Sequence, residues 1–196
     1  MKFIHFVENL KKEHAGDTLV RKNGTLILCP GKIPKAKHII YKGLSSRLIK
    51  EELIDQYKNK FPKEYIEFLK YSNGITLFMF KIKMNGIEFA GSNLTIYGLP
   101  LVPPFSRPQD EEEPFDVRVE DLGRHENIPH TWLKCGDYKN NANFNERTEI
   151  FIDTVTEKVY SCPQNSDKII GSWDTLDDCL CDVYKLVHTR KPVYEY

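Results

Sequence analysis

The residues able to do covalent or metal chemistry lie mostly beyond position 125. Cys179-Leu180-Cys181 offers two thiols, and Cys135 or Cys162 could extend them toward a zinc set; a structural zinc takes four such ligands. The surrounding pattern is helical, however, and residues two apart on a helix do not share a face. Cys179 falls on the apolar stripe, so core packing is expected there. His125, His130 and Cys135 are the types that a Cys–His nucleophile needs, but nothing in their spacing fixes a geometry. Asp174, Asp177 and Asp178 gather at a helix start, where carboxylates cap N–H groups and oppose the positive end of the macrodipole. GxSxG, HExxH, a glycine-rich phosphate loop and DxDxDG are all absent from the sequence. The expectation is a protein that is not an enzyme, with no catalytic residues, no metal ligands and no cofactor.

One local charge anomaly remains. Asp110, Glu111, Glu112, Glu113 and Asp116 form an acidic run, with Phe105 and Phe115 beside it, in a stretch holding five prolines from Pro100 to Phe115. Proline removes ladder donors and clustered acids repel one another, so 100–116 reads as a loop. Solvated acids explain the run simply. The functional alternative is a docking edge for a basic protein, with the two aromatics as anchors.

Composition narrows the classes further. The 196-residue chain is 40% hydrophobic and 29% charged, with 28 basic and 28 acidic residues. That is the balance of a globular domain, and a formal charge of zero makes no case for broad nucleic-acid binding. No apolar stretch approaches the roughly 18 residues that span a bilayer, and the start, MKFIHFVENLKKEH, does not read as a signal peptide. A cytoplasmic protein with five reduced cysteines, several of them buried, is expected. On that view, the sequons at Asn23 and Asn93 are chance matches.

The elements that must carry these residues follow from periodicity. Phe3, Phe6, Val7 and Leu10 predict a helix over 1–14. Short strands are expected at 24–31 and 38–44, with Lys32, Lys35 and Lys37 between them. Ser45 or Ser46 caps a helix bearing Ile49, Leu53, Tyr57 and Phe61. A second helix follows with Pro62 at its first position and Tyr65, Phe68 and Leu69 as its apolar stripe. It should end at Asn73-Gly74, where glycine tolerates the left-handed conformation of a C-cap. Strands at 75–83 and 87–90 flank Asn85-Gly86, a strong hairpin signal, and 94–97 is a third. Further strands are expected at 131–135, 149–153 and 158–162, and a final helix at 171–188. Runs of strands rather than alternating βα units imply an α+β fold with a mainly antiparallel sheet. Residues 1–44 read as an N-terminal extension on a main domain of 45–190.

Together, YKNKFPKEYIEFLKYSNGITLF, EIFIDTVTEKVYSC and GSWDTLDDCLCDVYKLV resemble the SUKH superfamily, the Smi–Knr family of cell-wall-assembly regulators and bacterial immunity proteins. Phe61-Pro62, Tyr65, Phe68-Leu69 and Asn73-Gly74 carry the first part of the likeness, which spans roughly 45–188. The resemblance implies a protein-binding domain without conserved catalytic chemistry. Its most direct expectation is an immunity protein that occludes a toxin, such as a basic nuclease. A regulatory scaffold for cell-wall assembly or signalling is the alternative, and a Cys/His enzyme or zinc protein is a third.

Overall fold

The computed structural model describes residues 2–28, 37–51, 61–84, 87–91, 94–96, 98, 126–139 and 147–188. The chain divides into two compact units, Met1–Leu44 with Phe68–Asp116, and Ser45–Glu67 with Val117–Tyr196. The fold is α+β with antiparallel pairing throughout the described ladders.

In the first unit, α1 (Lys2–Glu13) buries Phe6, Val7 and Leu10. Lys11 and Lys12 occupy its last turn, where cations oppose the dipole's negative end. The strands are β1 (Thr18–Val20), β2 (Leu26–Leu28), β3 (Lys37–Lys42), β4 (Ser72–Met84), β5 (Ile87–Gly91) and β6 (Leu94–Ile96). They run in the order β1-β2-β3-β4-β6, with β5 also paired to β4. Met84 faces Ile87, as the hairpin signal implied; Asn85 and Gly86 lie outside the described residues. Ile27, Ile39, Ile75, Leu77, Leu94 and Ile96 form the buried centre of this sheet. Residues 1–44 therefore supply three strands to the same ladder as β4. Lys37, expected in a loop, opens β3.

The second unit begins with α2 (Ser46–Ile49), whose N-cap is Ser45; its hydroxyl accepts from Leu48 N–H at 3.3 Å. Leu53 and Tyr57 lie outside the described residues. The division between units falls within α3 (Lys63–Tyr71). Pro62 stands one place earlier than expected, because its carbonyl accepts the first helical bond, from Ile66, which makes it the cap. Tyr65, Phe68 and Leu69 are buried as the stripe predicted.

The junction at SNG is tighter than a helix cap followed by a loop. β4 begins directly at Ser72, and Gly74 adopts φ +92°. The Ser72 hydroxyl bonds the carbonyls of Gly74 (2.7 Å) and Tyr41 (3.0 Å), tying the turn to β3. Asn73 is buried, and a Cβ on Gly98 would collide with its backbone.

The rest of the second unit is β7 (Trp132–Lys139), β8 (Arg147–Asp153), β9 (Val159–Pro163) and β10 (Gly171–Trp173), paired in that order, then α4 (Leu176–His188). Gly171-Ser172-Trp173, expected to open the final helix, instead forms β10 against β9. Leu176, Cys179, Leu180, Val183 and Val187 give α4 its buried face.

Candidate functional site

Phe105, Asp110, Glu111, Glu112, Glu113, Phe115 and Asp116, the sequence-based docking residues, lie outside the described residues, as do His125 and Cys29. His130 is exposed. Cys135 is fully buried at a bulge in β7, where the register slips between Lys134 and Gly136. Its Sγ donates to the Ile150 carbonyl at 3.6 Å, and burial drives its thiol far above the usual range. Burial likewise pushes Cys162 up to about 11, helped by the negative charges of Glu149 and Asp167. Cys179 and Cys181 are raised as well, again chiefly by burial. A nucleophilic cysteine needs the opposite, a stabilised thiolate. Among the described residues no group of three His, Cys, Asp or Glu could hold a metal.

The acids near α4 serve its start. Asp178 N–H donates to Thr175 Oγ1 at 3.1 Å, and the Thr175 hydroxyl donates to Asp178 Oδ2 at 2.7 Å. The Cys179 N–H bonds the Thr175 carbonyl, which places Thr175 at the N-cap. Exposed Asp174 faces Lys158 at 3.4 Å.

Two further caps come from far along the chain. Glu157 Oε1 accepts from Lys63 N–H at 3.1 Å, at the start of α3. Glu64, on α3, accepts from Leu176 N–H at 3.0 Å, at the start of α4. Glu157 sits in the β8–β9 turn with φ +61°, an uncommon conformation for a side-chain-bearing residue. Burial raises the Glu64 carboxyl above its ordinary value, and neighbouring Asp177 and Glu157 add to this against the lowering effect of the N–H donors. Asp153, beside the same turn, shifts the other way. Burial works to raise it, but the N–H of Val155 and the hydroxyls of Thr156 and Thr131 outweigh that and lower it.

The densest polar assembly lies on one face of β7 and β8. Because cross-strand partners share a face, the register aligns Lys134 and Phe151, Asp137 and Glu149, and Lys139 and Arg147. Lys134 Nζ donates to Glu149 Oε1 at 2.6 Å, both side chains largely out of water at 18% and 10% exposure. Arg147 Nη1 lies 3.6 Å from Asp137 Oδ2. Burial, then Arg147, lowers the Lys139 ammonium, while Asp137 acts against them. The row ends with two cations across from one another, so its Lys139–Arg147 end is electropositive. On the same face, Trp132 stacks on Tyr160 with centroids 4.2 Å apart and planes within 4°. Phe151, Cys162 and Ile128 complete that cluster.

The spacing of TWLKCGDYK hid this row. Lys134, Asp137 and Lys139 break strict alternation because Cys135 is the bulged residue; a bulge-aware count of two, three, two would have found the face. His14 and His38 have ring centroids 5.0 Å apart, a contact between the turn after α1 and β3 that leaves no local pattern in the sequence.

No family model, no curated protein and no solved structure matches the chain.

Proposed function

We propose that the protein is a non-catalytic, cytoplasmic protein-binding domain of SUKH-like architecture, an immunity protein that blocks a toxin by covering its active surface. The observation that carries this proposal is the state of the chemistry-bearing side chains. Described thiols are driven away from thiolate; Glu157 and Glu64 cap helices, while Asp178 accepts from the capping Thr175 hydroxyl and Asp174 faces Lys158. The order of elements agrees with the three quoted motifs, with α3 running directly into β4 at Ser72 and α4 following the β8–β9 hairpin and β10. The partner proposed is a basic toxin such as a nuclease, engaged by Phe105, Asp110, Glu111, Glu112, Glu113, Phe115 and Asp116. This part rests on charge complementarity read from the sequence.

The test is to search the neighbouring genes for a toxin and to co-express it with this protein. The expected result is restored growth and a stoichiometric complex whose association slows as salt rises. Reversing Glu111, Glu112 and Glu113 to lysine should slow association and flatten its salt dependence. Unrelieved toxicity, or association indifferent to the triple reversal, defeats the immunity role or the docking residues respectively.

A further inference from the structure

We infer that the free edge of β10 pairs with the same edge of a second copy of this chain, antiparallel and centred on Gly171. β10 ends the strand order, and its described partner is β9 alone. Ile170 N–H bonds the Ser161 carbonyl at 2.9 Å, so the extended segment begins before β10 itself. This edge carries two of the most exposed large apolar residues described, Ile169 at 50% and Ile170 at 42%. Exposed apolar residues on an unpaired strand are what strand addition buries.

The sequence D-K-I-I-G-S-W-D selects the occupant. In an antiparallel pair about Gly171, Lys168 faces the second copy's Asp174, Ile169 faces its Trp173, and Ile170 faces its Ser172. Both members of each pair have the same numerical parity, so they share a face of the continued sheet. Lys168 and Asp174 are exposed in the single chain; Asp174 also lies 3.4 Å from Lys158, so its carboxylate is shared between the two lysines, and two such contacts form at once because the interface is twofold. Parallel pairing in register would instead oppose lysine to lysine and aspartate to aspartate, which is unfavourable. The charges therefore choose direction and register together.

The surface that Ile169 would meet is already built. Trp173 Nε1 donates to Asp182 Oδ2 on α4 at 3.2 Å. The indole lies so close over Gly171 that a Cβ there would overlap its ring. Glycine at the centre thus makes room for the half-buried ring, against which an incoming isoleucine would pack.

The test is sedimentation velocity of the full chain over a concentration series. The expected result is a dimer with a Kd on the order of 10 µM, suited to a small contact. Lys168→Asp and Asp174→Lys should each weaken it about tenfold or more. The double exchange should restore it to within about threefold of wild type, since both charge pairs re-form with signs swapped. Ile169→Lys, at a site exposed enough to leave folding unchanged by circular dichroism, should abolish dimerisation. A wild-type chain that stays monomeric at roughly 0.5 mM, well above that Kd, overturns the inference and leaves the edge to a different protein. A dimer insensitive to Lys168→Asp and Ile169→Lys overturns it equally, and failure of the double exchange to recover refutes the register.

Discussion

Glu64 should respond differently to two substitutions that look alike at the level of charge. Its Oε1 holds the Leu176 N–H at 3.0 Å, and Leu176 is only 2% exposed, so water cannot readily take over the bond. Glu64→Ala therefore orphans a buried donor, at a cost of about 1–3 kcal/mol. For a chain of this size the melting temperature should fall by roughly 2–12 °C. Glu64→Gln keeps an oxygen at the same reach and removes the charge that burial disfavours. Its effect at pH 7 should stay within about 0.5 kcal/mol of wild type. The pH dependence gives a second, independent sign. The folded-state pKa is raised, so ionising Glu64 costs stability once the pH exceeds its unfolded value of 4.5. Wild type should then gain on Glu64→Gln as pH falls from 7 toward 4.5, and the difference should level off below that. Urea titrations of the three proteins across this range measure both effects. Equal losses for alanine and glutamine, or a wild-type advantage that shrinks on acidification, would refute the capping account.

Three other outcomes are expected. Alkylation of the native chain followed by peptide mass spectrometry should find Cys135, Cys162 and Cys179 protected and partly exposed Cys181 modified first; fast labelling of Cys135 would contradict its raised thiol. Thr76 Oγ1 is buried without a hydrogen-bond partner among the described residues, so Thr76→Val should raise stability by about 1 kcal/mol in denaturant titration, and a loss would mean that the hydroxyl has a partner after all. Asp153 has a lowered pKa, so its stabilising contribution is present above its unfolded value of 3.8 and is lost as the pH falls through its lower folded value. Asp153→Asn should accordingly destabilise at pH 7 and lose that penalty progressively as the pH falls below 3.8; a pH-independent penalty would contradict this account.

Local chemistry explains which parts of the fold were legible. The stripes of α1, α3 and α4 repeat at helical spacing, the β8–β9 turn follows the short apolar run Ile150-Phe151-Ile152, and Gly74 needs a conformation that few other residues tolerate. β1 escaped because Thr18, Leu19 and Val20 are all exposed, leaving no alternation to detect. β10 was absorbed into the helix that follows it, since Ser172 and Asp174 look like capping residues until β9 is known to lie alongside. The caps supplied by Glu64 and Glu157 span separations of 112 and 94 residues. Propensity and periodicity act over a few turns, so partners at such range become visible only when the chain has folded. The polar row of β7 and β8 lay between these extremes, local in sequence but displaced from its expected phase by one bulged cysteine.

Those distant caps also set a timetable. The N-terminus of α3 leaves the ribosome 94 residues ahead of the glutamate that completes it. At ordinary elongation rates of about 5–20 residues per second, the helix waits roughly 5–20 s with its first turn unfinished. Through that interval Tyr65 and Phe61, which stack at 6.1 Å and are buried in the finished unit, lack the later residues of that unit. The second unit, interrupted in the chain by much of the first, cannot assemble as it emerges. Chaperones that recognise exposed aromatics therefore have a defined window in which to meet it.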